Sequence, residues 1–142
     1  MMEQLKLDNQ LCFPFYSVSR MIIRKYQPFL DELEITYPQY LVLMVLWETD
    51  SMPVNDIAKR LFLQTNTVTP LLKRMESQEI ITREKATDDE RKVIVCLTEK
   101  GQAMEQSAAE IPFKLVEAMN NFSVDELKAL HSTLYRMIDQ LK

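Results

Sequence analysis

Thr65-Asn66-Thr67-Val68-Thr69-Pro70-Leu71-Leu72-Lys73-Arg74-Met75-Glu76-Ser77-Gln78 is the stretch that decides the fold. Wound at about 100° per residue, it gathers Val68, Leu71, Leu72 and Met75 within about one third of the circumference, the stripe of an amphipathic helix. The opposite face carries Asn66, Pro70, Lys73 and Ser77, flanked by Thr67, Thr69 and Arg74. Small hydrogen-bonding groups fill the N-terminal half and two cations the middle. A helix that reads DNA needs this layout: its first turns meet base edges while its cations meet phosphates. Pro70 lacks an N–H and is tolerated only near a helix start. The helix is therefore expected to begin close to Asn66 and to offer a short apolar ring toward a thymine methyl. One such helix alone reads more readily as a solvated face.

The segment C-terminal to this helix favours the DNA reading. Ile80 to Lys85 and Lys92 to Leu97 are rich in β-branched residues and flank the polar run Thr87-Asp88-Asp89-Glu90-Arg91. This predicts a hairpin with a charged tip. A hairpin directly after a helix-turn-helix is a wing, and Arg91 at its tip can enter a narrow, electronegative minor groove. The neighbouring acids would repel phosphate unless one of them orients the arginine. Asp89 is expected to pair with Arg91 in that role. The competing reading is a charged turn kept polar for solubility.

Working outward, Pro53 opens a short helix with Val54, Ile57, Ala58 and Leu61 on one face, and Phe62 to Gln64 make the turn. Thr36 is a plausible N-cap, with Pro38 near the start, for a helix from Tyr37 to Glu48. Its apolar run Leu41 to Leu46 marks it as central and buried on nearly all sides. A first helix is expected from about Gln10 to Tyr26, ended by Pro28 or followed there by a short second one. Downstream, Thr98 caps a helix expected to reach Asn120 with a kink at Pro112. Ser123-Val124-Asp125-Glu126 is a capping box opening a last helix with Leu127, Leu130, Leu134, Met137, Ile138 and Leu141 on one side. With Gly101 as the sole glycine, the chain has little freedom for left-handed turns and reads as mostly helical.

The expected fold is mostly α with a small β-hairpin wing, in one domain over residues 1–142. A winged helix-turn-helix spans about 37–97, and dimerisation helices span about 1–36 and 98–142. The terminal helices carry more apolar surface than one thin wing-and-helix unit can cover. Pairing them between two chains would bury it and set two reading helices a DNA turn apart, about 34–36 Å. The bound site should then be an inverted repeat.

Composition sets bounds on this. The 142 residues are 46% hydrophobic and 27% charged, with a net charge of −4. The acidic balance argues against nucleic acid until its distribution is considered. From Lys59 to Lys92 basic residues outnumber acidic ones by eight to six. No apolar run approaches the roughly 20 residues a bilayer demands, and Met1 to Asp8 lack a secretory profile; the expectation is a cytoplasmic protein with no membrane partner. Cys12 and Cys96 lack metal-ligand spacing, and a disulfide scaffold is disfavoured in a reducing compartment. His131 has no partner for a metal site or a triad, and one glycine cannot build a phosphate loop. Neither cofactor nor metal nor enzymatic turnover is expected.

Four blocks carry a family resemblance: Leu7-Asp8-Asn9-Gln10-Leu11-Cys12-Phe13, Ile35-Thr36-Tyr37-Pro38-Gln39-Tyr40, Leu71-Leu72-Lys73-Arg74-Met75-Glu76 and Asp88-Asp89-Glu90-Arg91. With these the chain resembles the MarR family, and within it the organic-hydroperoxide-sensing repressors called OhrR. The resemblance implies a homodimer on double-stranded DNA, released when an N-terminal cysteine is oxidised. It matches Cys12 to that cysteine. Tyr26 and Tyr37 match the tyrosines that hydrogen-bond it from the partner subunit, and Tyr16 matches a further aromatic nearby. One departure is Pro14, where the family commonly has an ordinary helix former. A helix running through from Asp8 should break there. A restart at Pro14, with Cys12 just ahead, would either strengthen the dipole effect on the sulfur or displace it from its tyrosines.

The chemistry behind the match is general. A thiolate attacks peroxide, so a sensor cysteine needs its charged form stabilised; a helix N-terminus and two phenol donors supply that. Phe13, Phe15 and the central helix could form an apolar pocket favouring organic hydroperoxides. Cys96 reads as structural, so a low-molecular-weight thiol would cap the oxidised Cys12. Three other readings compete. A MarR-type repressor could answer to reversible binding of a phenolic or carboxylate ligand. A thiol peroxidase could use Cys12, although the strand-helix alternation of such enzymes is missing. A protein-interaction module would make the helix's charges merely a solvated face.

Overall fold

The computed structural model describes residues 1–142. Two 3₁₀ turns, Glu3–Leu5 and Leu7–Asn9, precede α1 (Cys12–Glu32), α2 (Tyr37–Glu48), β1 (Met52–Pro53), α3 (Val54–Arg60) and α4 (Thr65–Ser77). β2 (Ile81–Lys85), β3 (Val93–Leu97), α5 (Glu99–Ala108), α6 (Ile111–Glu117) and α7 (Val124–Leu141) complete the chain. This is a winged helix-turn-helix with helical extensions at both ends.

α2 is the hub. Val42, Leu43 and Leu46 are fully buried along it, meeting Leu30 of α1, Ile57 of α3, and Val68, Leu72 and Met75 of α4 in one core. Its start is fixed by a capping box: the Gln39 N–H donates to Thr36 Oγ1 at 3.4 Å, and the Thr36 N–H donates to Gln39 Oε1 at 3.0 Å. Trp47 ties its far end to α5 by donating from Nε1 to the Gly101 carbonyl at 2.9 Å.

The wing is larger than the expected hairpin. β2 and β3 pair antiparallel, Ile81 opposite Leu97 and Lys85 opposite Val93, and β1 adds to the other edge of β3 with Met52 opposite Val95. A two-residue strand ending in proline carries no period-2 signal, so the sequence pattern does not reveal it.

Other boundaries differ too. Pro28 lies inside α1 and does not end it; the helix runs on to Glu32 because Leu30 must reach the core. The expected long helix beyond Thr98 is two helices, α5 and α6, with Pro112 in the first turn of the second, where proline's missing N–H costs nothing. The left-handed turns expected to be scarce occur at four non-glycine residues, Glu34, Ser51, Phe62 and Glu79. Three of them close helices by the same pair of backbone bonds. After α1, the Glu34 N–H donates to Asp31 O and the Ile35 N–H to Leu30 O, each at 3.1 Å, the Schellman pattern.

Gly101 is not a turn residue at all. A Cβ there would lie 2.3 Å from the Ile80 carbonyl oxygen, so glycine lets α5 press against the chain entering β2. In contrast to the other long helices, α7 has no buried residue in the single chain, and Val124, Leu130, Tyr135 and Leu141 along it are exposed.

Candidate functional site

α4 separates its two faces cleanly. Val68, Leu72 and Met75 are fully buried, each contributing about 1.5–3 kcal/mol by its burial. Asn66, Thr67, Pro70, Lys73 and Arg74 are exposed and Thr69 is half-buried. The helix begins at Thr65, after Gln64 as N-cap, where the sequence pattern opens it. Pro70 sits in its second turn, and the Thr69 hydroxyl donates to the Thr65 carbonyl at 2.9 Å. Thr65 Oγ1 in turn donates to Asn55 Oδ1 on α3 at 3.0 Å, which ties the start of α4 to α3.

The wing tip lies beside this helix. Asp89 Oδ1 accepts from the Arg91 N–H at 3.0 Å and from Arg91 Nε at 3.4 Å. Arg91 is almost wholly exposed, at 93% of its side chain, so the pair adds little stability and acts on the arginine's direction. Asn55, Thr65, Thr69, Arg83, Arg91 and Lys92 line one cleft of about 160 Å³ between the helix start and the wing. Thr69 and Arg91, assigned to separate elements by the sequence, thus share a wall.

The sequence marks Arg83 and Lys92 only as charges of the basic segment, with no place in the site. Arg83 of β2 is bound to Glu76 of α4, its N–H donating to Oε2 and its NH2 group to Oε1, both at 3.1 Å. This locks wing to helix. A β-strand arginine seven residues from a helical glutamate has no local periodicity that would announce the contact.

The second candidate cluster is divided within one chain. Cys12 is exposed and is the first residue of α1. The helix neither runs through from Asp8 nor restarts at Pro14. Pro14 is the third helical residue, where the amide has no intrahelical acceptor, so proline fits the first turn. Tyr16, one turn on, is exposed with the Arg20 guanidinium 5.3 Å from its ring centre. Tyr26 is 14 residues beyond Cys12, about 21 Å along the helix. It packs instead against Tyr37, ring centres 4.9 Å apart, and both approach Tyr40 at 5.9 and 6.2 Å. Burial, then the neighbouring Tyr37 and Tyr40, push the Tyr26 phenol up to about 12. Burial also raises Tyr37, and burial followed by Tyr37 raises Tyr40. All three therefore keep their O–H donors at neutral pH.

Cys96 lies on β3 opposite Thr82, with its sulfur 3.2 Å from Ser51 Oγ.

Set against known proteins, residues 24–107 match the model of the transcriptional regulator SarA/Rot family. The chain is 43% identical over 139 residues to the organic hydroperoxide resistance transcriptional regulator of Bacillus subtilis, covering 98% of this chain and 94% of that one. It belongs to the MarR family of winged-helix regulators. The likeness to the OhrR branch thus extends well beyond the four motif blocks. Among solved structures, this MarR-family chain is similar to reduced AbfR of Staphylococcus epidermidis bound to DNA, with a TM-score of 0.80 at 37% identity, covering 99% and 96% of the two chains. With disulfide-formed AbfR the TM-score is 0.67 at 38% identity, covering 98% and 94%.

Proposed function

We propose that this protein is a cytoplasmic repressor that holds an inverted-repeat operator as a homodimer and lets go when an organic hydroperoxide oxidises Cys12. One observation carries the DNA half: α4 buries Val68, Leu72 and Met75 while Asn66, Thr67, Pro70, Lys73 and Arg74 stay on the surface beside Arg91. In this reading Asn66, Thr67, Thr69 and Pro70 meet base edges, and Lys73 and Arg74 meet phosphates. Arg91, aimed by Asp89, enters the minor groove. Exposed apolar residues on α1 and α7 supply the dimer surface, among them Phe15, Val18 and Leu130.

Redox release rests on the position of Cys12 and on the tyrosines. The sulfur stands at the positive end of a 21-residue helix, favourable for a thiolate. The tyrosines that pair with it come from the other subunit, so dimerisation completes the site. The Cys12 thiolate attacks the terminal oxygen of ROOH and the O–O bond breaks. An S–OH group forms, and RO⁻ takes up a proton to leave as the alcohol. A low-molecular-weight thiol then attacks the sulfenic sulfur, forming a mixed disulfide and expelling water. The new group changes charge, size and hydrogen bonding at the dimer interface, which displaces the reading helices. The existence of AbfR both as a DNA-bound reduced form and as a disulfide form supports such a cycle.

The test is an electrophoretic shift on the promoter beside the protein's own gene, with and without cumene hydroperoxide. Wild type should release DNA on oxidation and Cys12→Ser should stay bound. Equal release from Cys12→Ser overturns the sensor role and favours a reversible ligand.

A further inference from the structure

Gln39 is the one polar side chain among the buried residues, 3% exposed. Burying an amide is unfavourable unless its hydrogen bonds are made, and here both ends are used. Oε1 completes the capping box by accepting from the Thr36 N–H, while Nε2 donates to Gln78 Oε1 at 3.1 Å. Gln78 is the C-cap of α4. Its own Nε2 donates to the Glu34 carbonyl at 2.8 Å, in the left-handed turn between α1 and α2.

Tyr37 lies between these anchor points, two residues before Gln39 and three after Glu34, with its ring on Tyr26. A short path therefore joins the tyrosine pair to the end of the DNA-facing helix. Apolar contact through Val68, Leu72 and Met75 holds α4 on the core but is non-directional; the amide link adds a directional tie between its C-terminal end and α2. Asn66 lies about 18 Å from Gln78 along the helix, so a small tilt at the linked end is magnified at the groove.

We infer that the hydrogen bond between Gln39 and Gln78 sets α4 against the tyrosine end of α2, making these two glutamines positioning residues for redox release. The inference rests on the proposed function and identifies the contact by which a displacement at Tyr37 reaches the groove. Removal of the link should weaken the coupling between oxidation and DNA affinity, beyond any effect on stability.

The measured quantity is the ratio of operator dissociation constants after and before cumene hydroperoxide, by fluorescence anisotropy on the promoter duplex beside the gene. Gln78→Met leaves the Thr36 capping box intact and substitutes a partly exposed residue; Gln39→Leu removes the other end of the link. Each is expected to lower the ratio by about threefold or more. A merely structural role would shift the melting temperature and leave the ratio alone. If either folded variant keeps the wild-type ratio within about threefold, the inference is overturned; if Gln39→Leu does not fold, Gln78→Met decides. Wild type that binds equally before and after oxidant overturns the sensor reading and this inference with it, a result distinct from responsive wild type with equally responsive variants.

Discussion

At the scale of single residues, Arg91 and Asp89 divide one task. The arginine supplies the charge, and the aspartate, accepting from both its N–H and its Nε, limits where that charge can point. Arg91→Ala should raise the operator dissociation constant by about 10-fold and reduce the salt dependence of binding by about one counterion. Titration at several salt concentrations measures both. Asp89 and Arg91 are legible in the sequence because a tight wing tip leaves few partners. Gln39 is not, since nothing in its local pattern separates a buried glutamine from an exposed one. Its second bond reaches a residue 39 positions away, which no local pattern encodes. Cys12 is legible only by resemblance; nothing in its neighbours' spacing distinguishes a sensor from a small buried side chain, and the structure leaves it exposed.

At the scale of elements, helix starts are readable and helix ends are not. Thr36, Thr98 and Ser123 stand out as caps because their side chains can accept a backbone N–H, and the folded chain uses all three. The ends of α1, α3 and α4 rely on Glu34, Phe62 and Glu79 in left-handed conformation, residue types with no turn signature. The chain thus carries strain where glycine would relieve it, and keeps its one glycine where space is short. Two substitutions should therefore act in opposite directions. Glu79→Gly is expected to stabilise by about 0.5–1 kcal/mol, whereas Gly101→Ala must push α5 off the Ile80 carbonyl and destabilise by about 1–3 kcal/mol. Urea unfolding midpoints of the two variants decide the matter.

At the scale of the whole molecule, the tyrosine cluster bears on stability and, in the proposed function, on the response as well. An unfolded tyrosine loses its proton at about 10, while Tyr26 in the folded chain holds it to about 12. The stability linked to this phenol is therefore fully present below pH 10 and is lost as pH climbs from there to 12. Tyr26→Phe should flatten that decline, measured by urea unfolding across the alkaline range. The bare apolar side of α7 is expected from the sequence as surplus surface, and the proposed dimer would cover it. The single tryptophan gives this arrangement an optical consequence. Trp47 donates its indole N–H to α5 and meets Tyr40 in a near-perpendicular ring pair, centres 6.4 Å apart, so the chromophore touches both the tyrosine cluster and the helical extension behind it. Its emission should shift when hydroperoxide is added to wild type and stay constant in Cys12→Ser, allowing stopped-flow mixing to time the rearrangement in unlabelled protein.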